Sequence, residues 1–270
     1  FVGTVDFGAG NVTSSGSYDV FVTKLNAAGA HQWTNTFGGT GNDIGRGVGV
    51  DGSGNVYTSG YFVGTVDFGA GDVTSNGSSD AFITKLNAAG VHQWTTTLGG
   101  TGDDRRHSVA VGSAGNVHVT GYFRGAVDFG AGDVTSAGSA DAFVTKYNAA
   151  GAHQWTTTFG GTGRDYGRGV AVDGSGNVYT TGDFYGTVNF GAGNVTSNGK
   201  SDAFVTKLNA AGAHQWTTTF GGTGTDYSRD VAVDGSGNVY VTGIFGGTVN
   251  FGDRNVAWDM SVDRSVNRLI

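Results

Sequence analysis

The sequence predicts an all-β fold, and two observations support this fold class. The first is a repeat. The string FVGTVDFGAGNVTS at residues 1–14 returns with small changes at 62–75, 123–136 and 184–197, and in shortened form at 245–256, so the period is 61 residues. The second is composition, with 52 glycines among 270 residues, frequent threonine and valine, and no proline, cysteine or glutamate. Because this composition disfavours helix, no helix is predicted.

Each repeat predicts two hairpins. In the second copy, the turns at 51–55 (DGSGN) and 87–90 (NAAG) supply residues that tolerate positive φ or bond their own backbone. Each turn lies between two short β-type runs. The four predicted strands cover residues 48–50, 56–61, 81–86 and 92–98. Between the two hairpins, residues 65–68 and 72–74 flank Gly-Ala-Gly, which predicts a small extra hairpin or an ordered loop.

The third predicted strand indicates how the repeats are arranged. It places Phe82 and Leu86 on one face and Ala81 and Ile83 on the other, so both faces need cover. Four antiparallel strands per unit, covered on both sides by neighbouring units, are typical of a β-propeller. A β-solenoid is the main alternative, but its coils are usually shorter and lack tight hairpins. The predicted propeller spans residues 1–256, with repeats at 1–61, 62–122, 123–183 and 184–244, a partial copy at 245–256, and a divergent tail at 257–270.

Several strings carry a resemblance to a known family. DAFVTKLNAAG, HQWTTTFGGTG and VAVDGSGNVYVTG resemble the SBBP-type β-propeller repeat of secreted and cell-surface proteins from bacteria and archaea. The most specific part is the Gly-Asn-Val-Tyr stretch that begins at Gly54, Gly176 and Gly237. The resemblance implies the fold and an extracellular or cell-surface location, and it implies no enzyme activity.

The blade count raises the question of closure. Four inner hairpins begin near Val48, Val109, Val170 and Val231, and four outer hairpins near Asp19, Asp80, Asp141 and Asp202. A four-bladed ring would close if the last inner hairpin, 231–244, paired with the first outer hairpin, 19–37. However, residues 246–256 repeat the role of residues 2–12, so both cannot occupy one blade. The tail would then pack on the ring or pair with a neighbouring subunit.

Composition excludes several classes of function. The net charge is −7, the pI is about 5.1, and the cations are scattered apart from Arg105 and Arg106, so no basic stripe for nucleic acid is present. No apolar run is long enough to span a membrane. The absence of cysteine permits secretion without proving it. No nucleophile or metalloprotease motif occurs, so no catalytic residue and no cofactor are predicted.

The best candidates for a converging site lie in the loop that leads from one blade to the inner strand of the next. Aspartates there, each followed three residues later by a cation, would line one mouth of a central channel. The alternative is a scaffolding role, as an ion pair or a turn-stabilising aspartate in each blade. These candidate ligand-binding residues are Asp43, Asp104, Asp165, Asp226, Arg46, His107, Arg168 and Arg229.

Two further sets of residues favour structural roles. Large indole rings usually bury most of their area, so Trp33, Trp94, Trp155 and Trp216 are predicted to pack blade against blade rather than to form an exposed ligand platform. Turns that begin at Asp51, Asp173 and Asp234 have oxygen ligands at positions 1, 3 and 5, as a calcium loop does. They lack the glycine at position 6 and the bidentate glutamate, so calcium is a weak alternative to a simple turn.

We expect a non-enzymatic binding or adhesion module of the cell surface that engages a glycan or a protein partner. One alternative is a glycine-rich structural subunit of an extracellular filament or sheath, assembled through its unmatched ends. A hydrolase with an aspartate-lined channel is the least favoured.

Overall fold

A computed structural model describes residues 1–251 and 255–257; residues 258–270, which make up nearly all of the divergent tail, lie outside the described residues. The described part contains 26 strands and no helix. The N-terminal strands are β1 (Thr4–Asp6), β2 (Asn11–Thr13), β3 (Val20–Leu25) and β4 (His31–Phe37). The first blade contains β5 (Ile44–Val50), β6 (Val56–Phe62), β7 (Thr65–Asp67), β8 (Asp72–Thr74), β9 (Asp80–Leu86) and β10 (His92–Leu98).

The other blades repeat this order. The second contains β11 (Arg105–Val111), β12 (Val117–Phe123), β13 (Ala126–Asp128), β14 (Asp133–Thr135), β15 (Asp141–Tyr147) and β16 (His153–Phe159). The third contains β17 (Tyr166–Val172), β18 (Val178–Phe184), β19 (Thr187–Asn189), β20 (Asn194–Thr196), β21 (Asp202–Leu208) and β22 (His214–Phe220). The chain continues with β23 (Tyr227–Val233), β24 (Val239–Ile244), β25 (Thr248–Asn250) and β26 (Asn255–Ala257).

The all-β prediction is confirmed. In the first blade, β5, β6, β9 and β10 form a four-stranded antiparallel sheet in that order, and the second and third blades are built in the same way. The predicted strands agree with the observed ones to within one residue, except that the first strand begins earlier, at Ile44. The segment between the two hairpins is the predicted small hairpin, β7 paired with β8.

Turn chemistry explains why the hairpins form where the sequence predicts them. In the second turn of the first blade, the Asn87 side-chain oxygen accepts hydrogen bonds from the backbone N–H groups of Ala89 and Val91. Gly90 in the same turn has φ +83°, a conformation that favours glycine. The same asparagine and glycine recur in each outer hairpin, so each turn is specified locally.

The blades pack face to face through apolar cores. Phe82 and Leu86 of β9 join a cluster with Val20 and Val22 of the preceding outer hairpin. Ile83, on the opposite face of β9, lies in a cluster built mainly from the second blade. The expectation that this strand needs cover on both faces is therefore confirmed. The small hairpins contribute a phenylalanine to each core; for example, the ring centroid of Phe68 lies 4.8 Å from that of Phe82.

The predicted closure is not observed. The outer hairpin β3–β4 (the N-terminal half-blade) and the inner hairpin β23–β24 (the C-terminal half-blade) are separate two-stranded sheets with no ladder between them. The described residues thus form three complete blades flanked by two half-blades. No described helix has the length and apolar character required to cross a bilayer.

Candidate functional site

The four predicted aspartates do not line an open surface. Asp104 is buried, and its two carboxylate oxygens accept backbone N–H groups from Gly100 at 2.9 Å and Arg124 at 2.9 Å. These bonds connect the loop before the inner strand to the residue that follows the second strand. The same two bonds recur in every copy, at Asp43, Asp165 and Asp226. The structure therefore gives these aspartates the turn-stabilising role rather than a place at a channel mouth.

Burial also changes the ionisation of these groups. Desolvation, opposed by the two backbone hydrogen bonds, raises the pKa of Asp104 to about 6, and the pKa of Asp165 is raised to about 6 for the same reason. The nearby carboxylates Asp80 and Asp141 add to the upward shift. Each repeat thus contains a pair of buried aspartates engaged by backbone amides, not an open acid–base pair.

The predicted cations do come together with groups that the sequence analysis did not select. Three of the cations lie beside tyrosine rings. The guanidinium carbon of Arg46 is 5.8 Å from the Tyr61 ring centroid. The guanidinium carbons of Arg168 and Arg229 are 5.1 Å and 4.8 Å from the ring centroid of Tyr227. The contacts continue across all four inner hairpins. We call this surface the arginine–tyrosine row, which consists of Arg46, Tyr61, Arg105, His107, Tyr122, Tyr166, Arg168, Tyr227 and Arg229.

The middle of the row is held by stacking and by one aspartate. Arg105 lies 4.2 Å from the Tyr61 ring centroid, and its Nε donates to Asp103 at 2.8 Å. The Tyr122 hydroxyl donates to the same carboxylate at 3.0 Å, and the Tyr122 ring lies 4.6 Å from that of Tyr166. Against the effect of burial, hydrogen bonds from Ser79 and Arg105 lower the pKa of Asp103. These contacts connect neighbouring blades through side chains at the same end of each inner hairpin.

The ion pairs differ from those considered from the sequence. Arg168 pairs with Asp183 of its own blade, not with the buried Asp165 three residues before it. Burial raises the pKa of Asp183, while Arg168 opposes that shift. Burial and the nearby Arg168 and Arg46 lower the pKa of His107 to about 4, so His107 is neutral at pH 7.

The row concentrates positive charge in an acidic chain. It contains four arginines, of which Arg105 pairs with Asp103 and Arg168 pairs with Asp183. Arg124 lies next to it, 5.8 Å from the Tyr122 ring, and the charge of Arg164 opposes the rise that burial causes in the pKa of Asp183. Among the described residues, the one arginine that lies elsewhere is the fully buried Arg106. The guanidinium groups of Arg46 and Arg229 are at exposed positions and make no hydrogen bond within residues 1–251.

A sequence signal for the row exists, and it is variation rather than repetition. The copies are nearly identical, yet the segment that begins each inner strand reads NDIGRG, DDRRHS, RDYGRG and TDYSRD. The second strand of each inner hairpin also ends differently, with Tyr61, Tyr122, Asp183 and Ile244 at equivalent positions. These variable positions supply the row. Repeats that are otherwise closely similar have thus diversified along this surface.

The tryptophans lie at the contacts between repeats. The Trp94 indole Nε1 donates to the carbonyl of Ala149 in the next repeat at 3.2 Å, and Lys85 Nζ donates to the same carbonyl at 3.0 Å. Trp33 and Trp155 make the same contact with Ala88 and Ala210. Trp216 makes no such bond within the described residues. This geometry accounts for a packing role without an exposed platform at the first three tryptophans.

The carboxylates of the calcium-like turns are occupied by their own chain. The Asp51 Oδ1 accepts backbone N–H groups from Ser53 and Asn55, and its Oδ2 accepts the Asn55 side-chain amide and the Tyr57 hydroxyl. Asp173 and Asp234 are bonded in the same pattern. Within the described part of the chain, no cluster of three or more metal-ligating side chains was found. The turn alone therefore accounts for these aspartates.

Comparison with known families identifies the repeat type. The SBBP model, a β-propeller repeat, matches residues 154–183 and 215–243, so the chain contains SBBP-type repeats at these places. This agrees with the resemblance seen in the sequence.

Curated relatives and a solved structure share similarity with larger parts of the chain. The regulatory protein FlaEY of Caulobacter vibrioides is 30% identical over 246 residues, which cover 83% of this chain and 26% of FlaEY. An uncharacterized WD repeat-containing protein, L264, of Acanthamoeba polyphaga mimivirus is 25% identical over 189 residues, 57% of this chain and 13% of L264. The chain thus spans about a quarter of the first relative and about an eighth of the second. A crystal structure of a protein of unknown function from Bacteroides caccae has a TM-score of 0.45 and 12% identity, covering 91% of this chain and 71% of that chain.

Proposed function

We propose that the protein is a non-enzymatic binding or adhesion module of the cell surface, and that its ligand contacts the arginine–tyrosine row. The observation that carries the proposal is the diversification of this one surface among nearly identical repeats. A surface that only held the scaffold together would be served equally well by the same residues in every copy. Variation that places cations and aromatic rings along one end of the inner hairpins is instead typical of ligand recognition.

The chemistry of the row favours an anionic ligand. Arginine presents a planar fork of donors that matches carboxylate and sulfate groups, and stacking on tyrosine holds the fork in place without using its donors. Arg46 and Arg229, at the two ends of the row, have no hydrogen-bond partner among residues 1–251. Tyrosine rings also pack against the faces of sugars. We therefore propose an acidic surface glycan as the ligand, and the binding test below distinguishes it from an acidic protein segment.

Two considerations support a role without catalysis and outside the cytoplasm. The buried aspartate pairs, which a hydrolase would need, are engaged by backbone N–H groups, and Asp103 and Asp183 are each bound to an arginine. The extracellular location is proposed from the resemblance to secreted and surface proteins. The name of FlaEY describes that relative as regulatory, and a binding module is compatible with such a role. We further propose that a fourth blade is completed by pairing of the C-terminal with the N-terminal half-blade.

Binding to polymers of defined charge tests the function. We expect calorimetry to detect binding to polygalacturonate, with no binding to neutral dextran and weaker binding as salt is raised. Replacing Arg46 and Arg229 together by glutamine should weaken binding at least about tenfold, because each charged hydrogen bond contributes roughly 1.5–3 kcal/mol. Lys200→Gln, which removes an exposed charge outside the row, is the matched control and should bind normally.

Three results would count against the proposal. Equal binding by the double arginine variant and the control would place the ligand elsewhere. Binding to an acidic peptide but to no acidic polysaccharide would replace the glycan by a protein partner. An absence of binding across carboxylated, sulfated and neutral polymers and acidic peptides would remove the proposed ligand class altogether.

A further inference from the structure

Both ends of the described fold expose surfaces that are buried in the complete blades. At the N-terminal half-blade, Phe21 is 46% exposed, whereas the equivalent Phe82 in the first blade is 0% exposed. At the C-terminal half-blade, Tyr240 is 60% exposed, whereas the equivalent Tyr179 is 1% exposed. The residues of β3 and β24 thus keep the sequence of interior strands without interior cover. Such apolar edges favour pairing with another strand.

A cavity lies at each end, and each has the position of a missing hairpin. The cavity of about 350 Å³ at the N-terminal end lies between β3 and β5 and is lined by Phe21, Val22 and Val48 among others. The cavity of about 500 Å³ at the C-terminal end lies beside β24 and is lined by Phe220, Val241 and Ile244 among others. In complete blades, the first space is filled by an inner hairpin and the second by an outer hairpin. Each half-blade therefore has the hairpin that the opposite end lacks.

The polar contacts between repeats are interrupted in a complementary way. Within the fold, a lysine and a tryptophan of one repeat donate together to the turn carbonyl of the next, as Lys146 and Trp155 do to Ala210. At the C-terminal end, Lys207 and Trp216 make no such bond within the described residues. At the N-terminal end, the equivalent carbonyl, that of Ala27, accepts no hydrogen bond from any described residue. One end has the donors and the other has the acceptor.

We propose that two copies of this chain pair end to end, with β24 of one copy hydrogen-bonded to β3 of the next. The register follows from the third blade, where β18 pairs with β21 through Tyr179 and Lys207. The equivalent residues place Tyr240 of one copy opposite Lys24 of the other. The completed blade contains one inner and one outer hairpin, as the three complete blades do.

The pairing is assigned to a second copy because the half-blades of one chain do not meet in the structure, while each copy carries both halves of the same contact. In the completed contact, β23 covers the face of β5, whose Val48 is exposed although the equivalent Val109 and Val170 are buried. Lys207 and Trp216 donate to the Ala27 carbonyl of the neighbour. The contact is heterologous, so it generates a ring or a filament of copies. It is independent of the ligand at the arginine–tyrosine row.

Cross-linking between single-cysteine variants tests the register directly, since the chain has no cysteine of its own. Lys24→Cys and Tyr240→Cys are made as separate proteins, mixed in equal amounts and treated with a short bismaleimide. We expect a covalent dimer of twice the 27.4 kDa mass in the mixture, and little dimer from either variant alone. Tyr179→Cys combined with Lys207→Cys in one chain is the positive control, because these residues pair within the third blade.

Light scattering with matched valine variants tests whether the edge drives assembly. Val241, 36% exposed, becomes buried in the completed blade, so Val241→Lys should reduce the assembly to single chains of 27.4 kDa. Val91, 58% exposed on a turn of the first blade, lies outside the contact, so Val91→Lys should keep the assembly of the parent chain.

The proposal is overturned if the parent chain stays at 27.4 kDa, the mass of a single chain. A variant that carries both Lys24→Cys and Tyr240→Cys then shows whether the two half-blades pair within one chain. Internal linkage would assign the fourth blade to closure within one chain, and its absence would leave the half-blades unpaired. An unchanged mass of the Val241→Lys variant, or cross-linking as strong in one variant alone as in the mixture, would also overturn it. None of these outcomes bears on ligand binding, which is measured separately.

Discussion

Arg106 is the least expected side chain in the fold, and its removal should stabilise the protein. Its side chain is fully buried, and its one hydrogen bond runs from Nη2 to the Tyr147 hydroxyl at 2.8 Å. Nε and Nη1 have no partner, and no carboxylate of the described residues pairs with the guanidinium. Burial lowers the pKa of Arg106. The equivalent residues in the other copies are Gly45, Gly167 and Ser228, so the fold does not require a cation here.

The magnitude follows from the groups that burial leaves unsatisfied. Each unpaired polar group costs about 1–3 kcal/mol, and the buried charge adds to this cost. Two contacts of Arg106 with Tyr147 offset part of this cost. The hydrogen bond to the hydroxyl contributes about 1 kcal/mol, and the cation–π contact, at 5.3 Å, contributes about 1 kcal/mol. Replacing Arg106 by methionine and Tyr147 by phenylalanine together removes the charge and the hydroxyl while keeping most of the volume. We expect a gain of about 2 kcal/mol in the free energy of unfolding.

Thermal and urea unfolding measure this effect. For a chain of this size, a gain of about 2 kcal/mol raises Tm by roughly 4–8 °C. Arg106→Met alone should be closer to neutral, because it leaves the buried Tyr147 hydroxyl without its donor. Arg105→Met is the control: Arg105 is partly exposed and paired with Asp103, so its loss should cost up to about 1 kcal/mol. A double variant that is less stable than the parent by more than about 1 kcal/mol would refute the reasoning and show that Arg106 has a compensating partner.

Three other predictions follow from differences between repeats. His118 is buried with both ring nitrogens unpaired, whereas the equivalent tyrosine in other copies donates its hydroxyl to an aspartate. Gly112→Asp combined with His118→Tyr restores that pair, so urea unfolding should show a gain of about 1–3 kcal/mol in the free energy of unfolding. The pKa of Asp104 is raised to about 6 in the folded state, against an ordinary value of 3.8, so the folded state binds the proton more tightly than the unfolded state. The free energy of unfolding should therefore fall as pH rises from about 4 through 6. This dependence on pH should be weaker in Asp104→Asn. Trp94→Phe should cost about 1 kcal/mol more than Trp216→Phe in thermal unfolding, because only Trp94 of these two donates a hydrogen bond to the next repeat.

Each of these three predictions has a clear opposite outcome. A loss of stability in the aspartate–tyrosine variant would mean that the second repeat has repacked around its histidine. A stability that rises between pH 4 and pH 6, with no change of slope in the asparagine variant, would place the carboxyl in contact with water. Equal costs for the two tryptophan variants would mean that the indole N–H does not contribute to the contact between repeats.

The strands and turns of this protein could be predicted from the sequence because their causes are local. Asn87 and Gly90 specify a turn through the side chain of one and the backbone freedom of the other. The apolar residues on both faces of β9 required cover on both sides, and the structure supplies it. Repetition then extended each of these local predictions to the other copies.

The candidate site could be predicted only in part. The sequence groups four cations with four aspartates, whereas in the structure the cations lie along the row and the aspartates are buried. The cations are Arg46, His107, Arg168 and Arg229. An aspartate that caps a turn and one that lines a surface have the same sequence pattern, since the difference depends on which backbone N–H groups lie around it. Tyr61 and Tyr122 lie on the second strand of their hairpins, so sequence spacing did not connect them with the arginines, which lie on the first strands.

The sequence by itself determined the all-β class, the repeat period, the strand positions and the hairpin turns, because backbone hydrogen bonding and the alternation of side chains act over a few residues. The tertiary structure decided the burial of Asp104, the path of the arginine–tyrosine row across four hairpins, and the separation of β3 from β24. These features join segments tens to hundreds of residues apart. Whether such segments meet depends on the positions of whole blades, which no single repeat encodes.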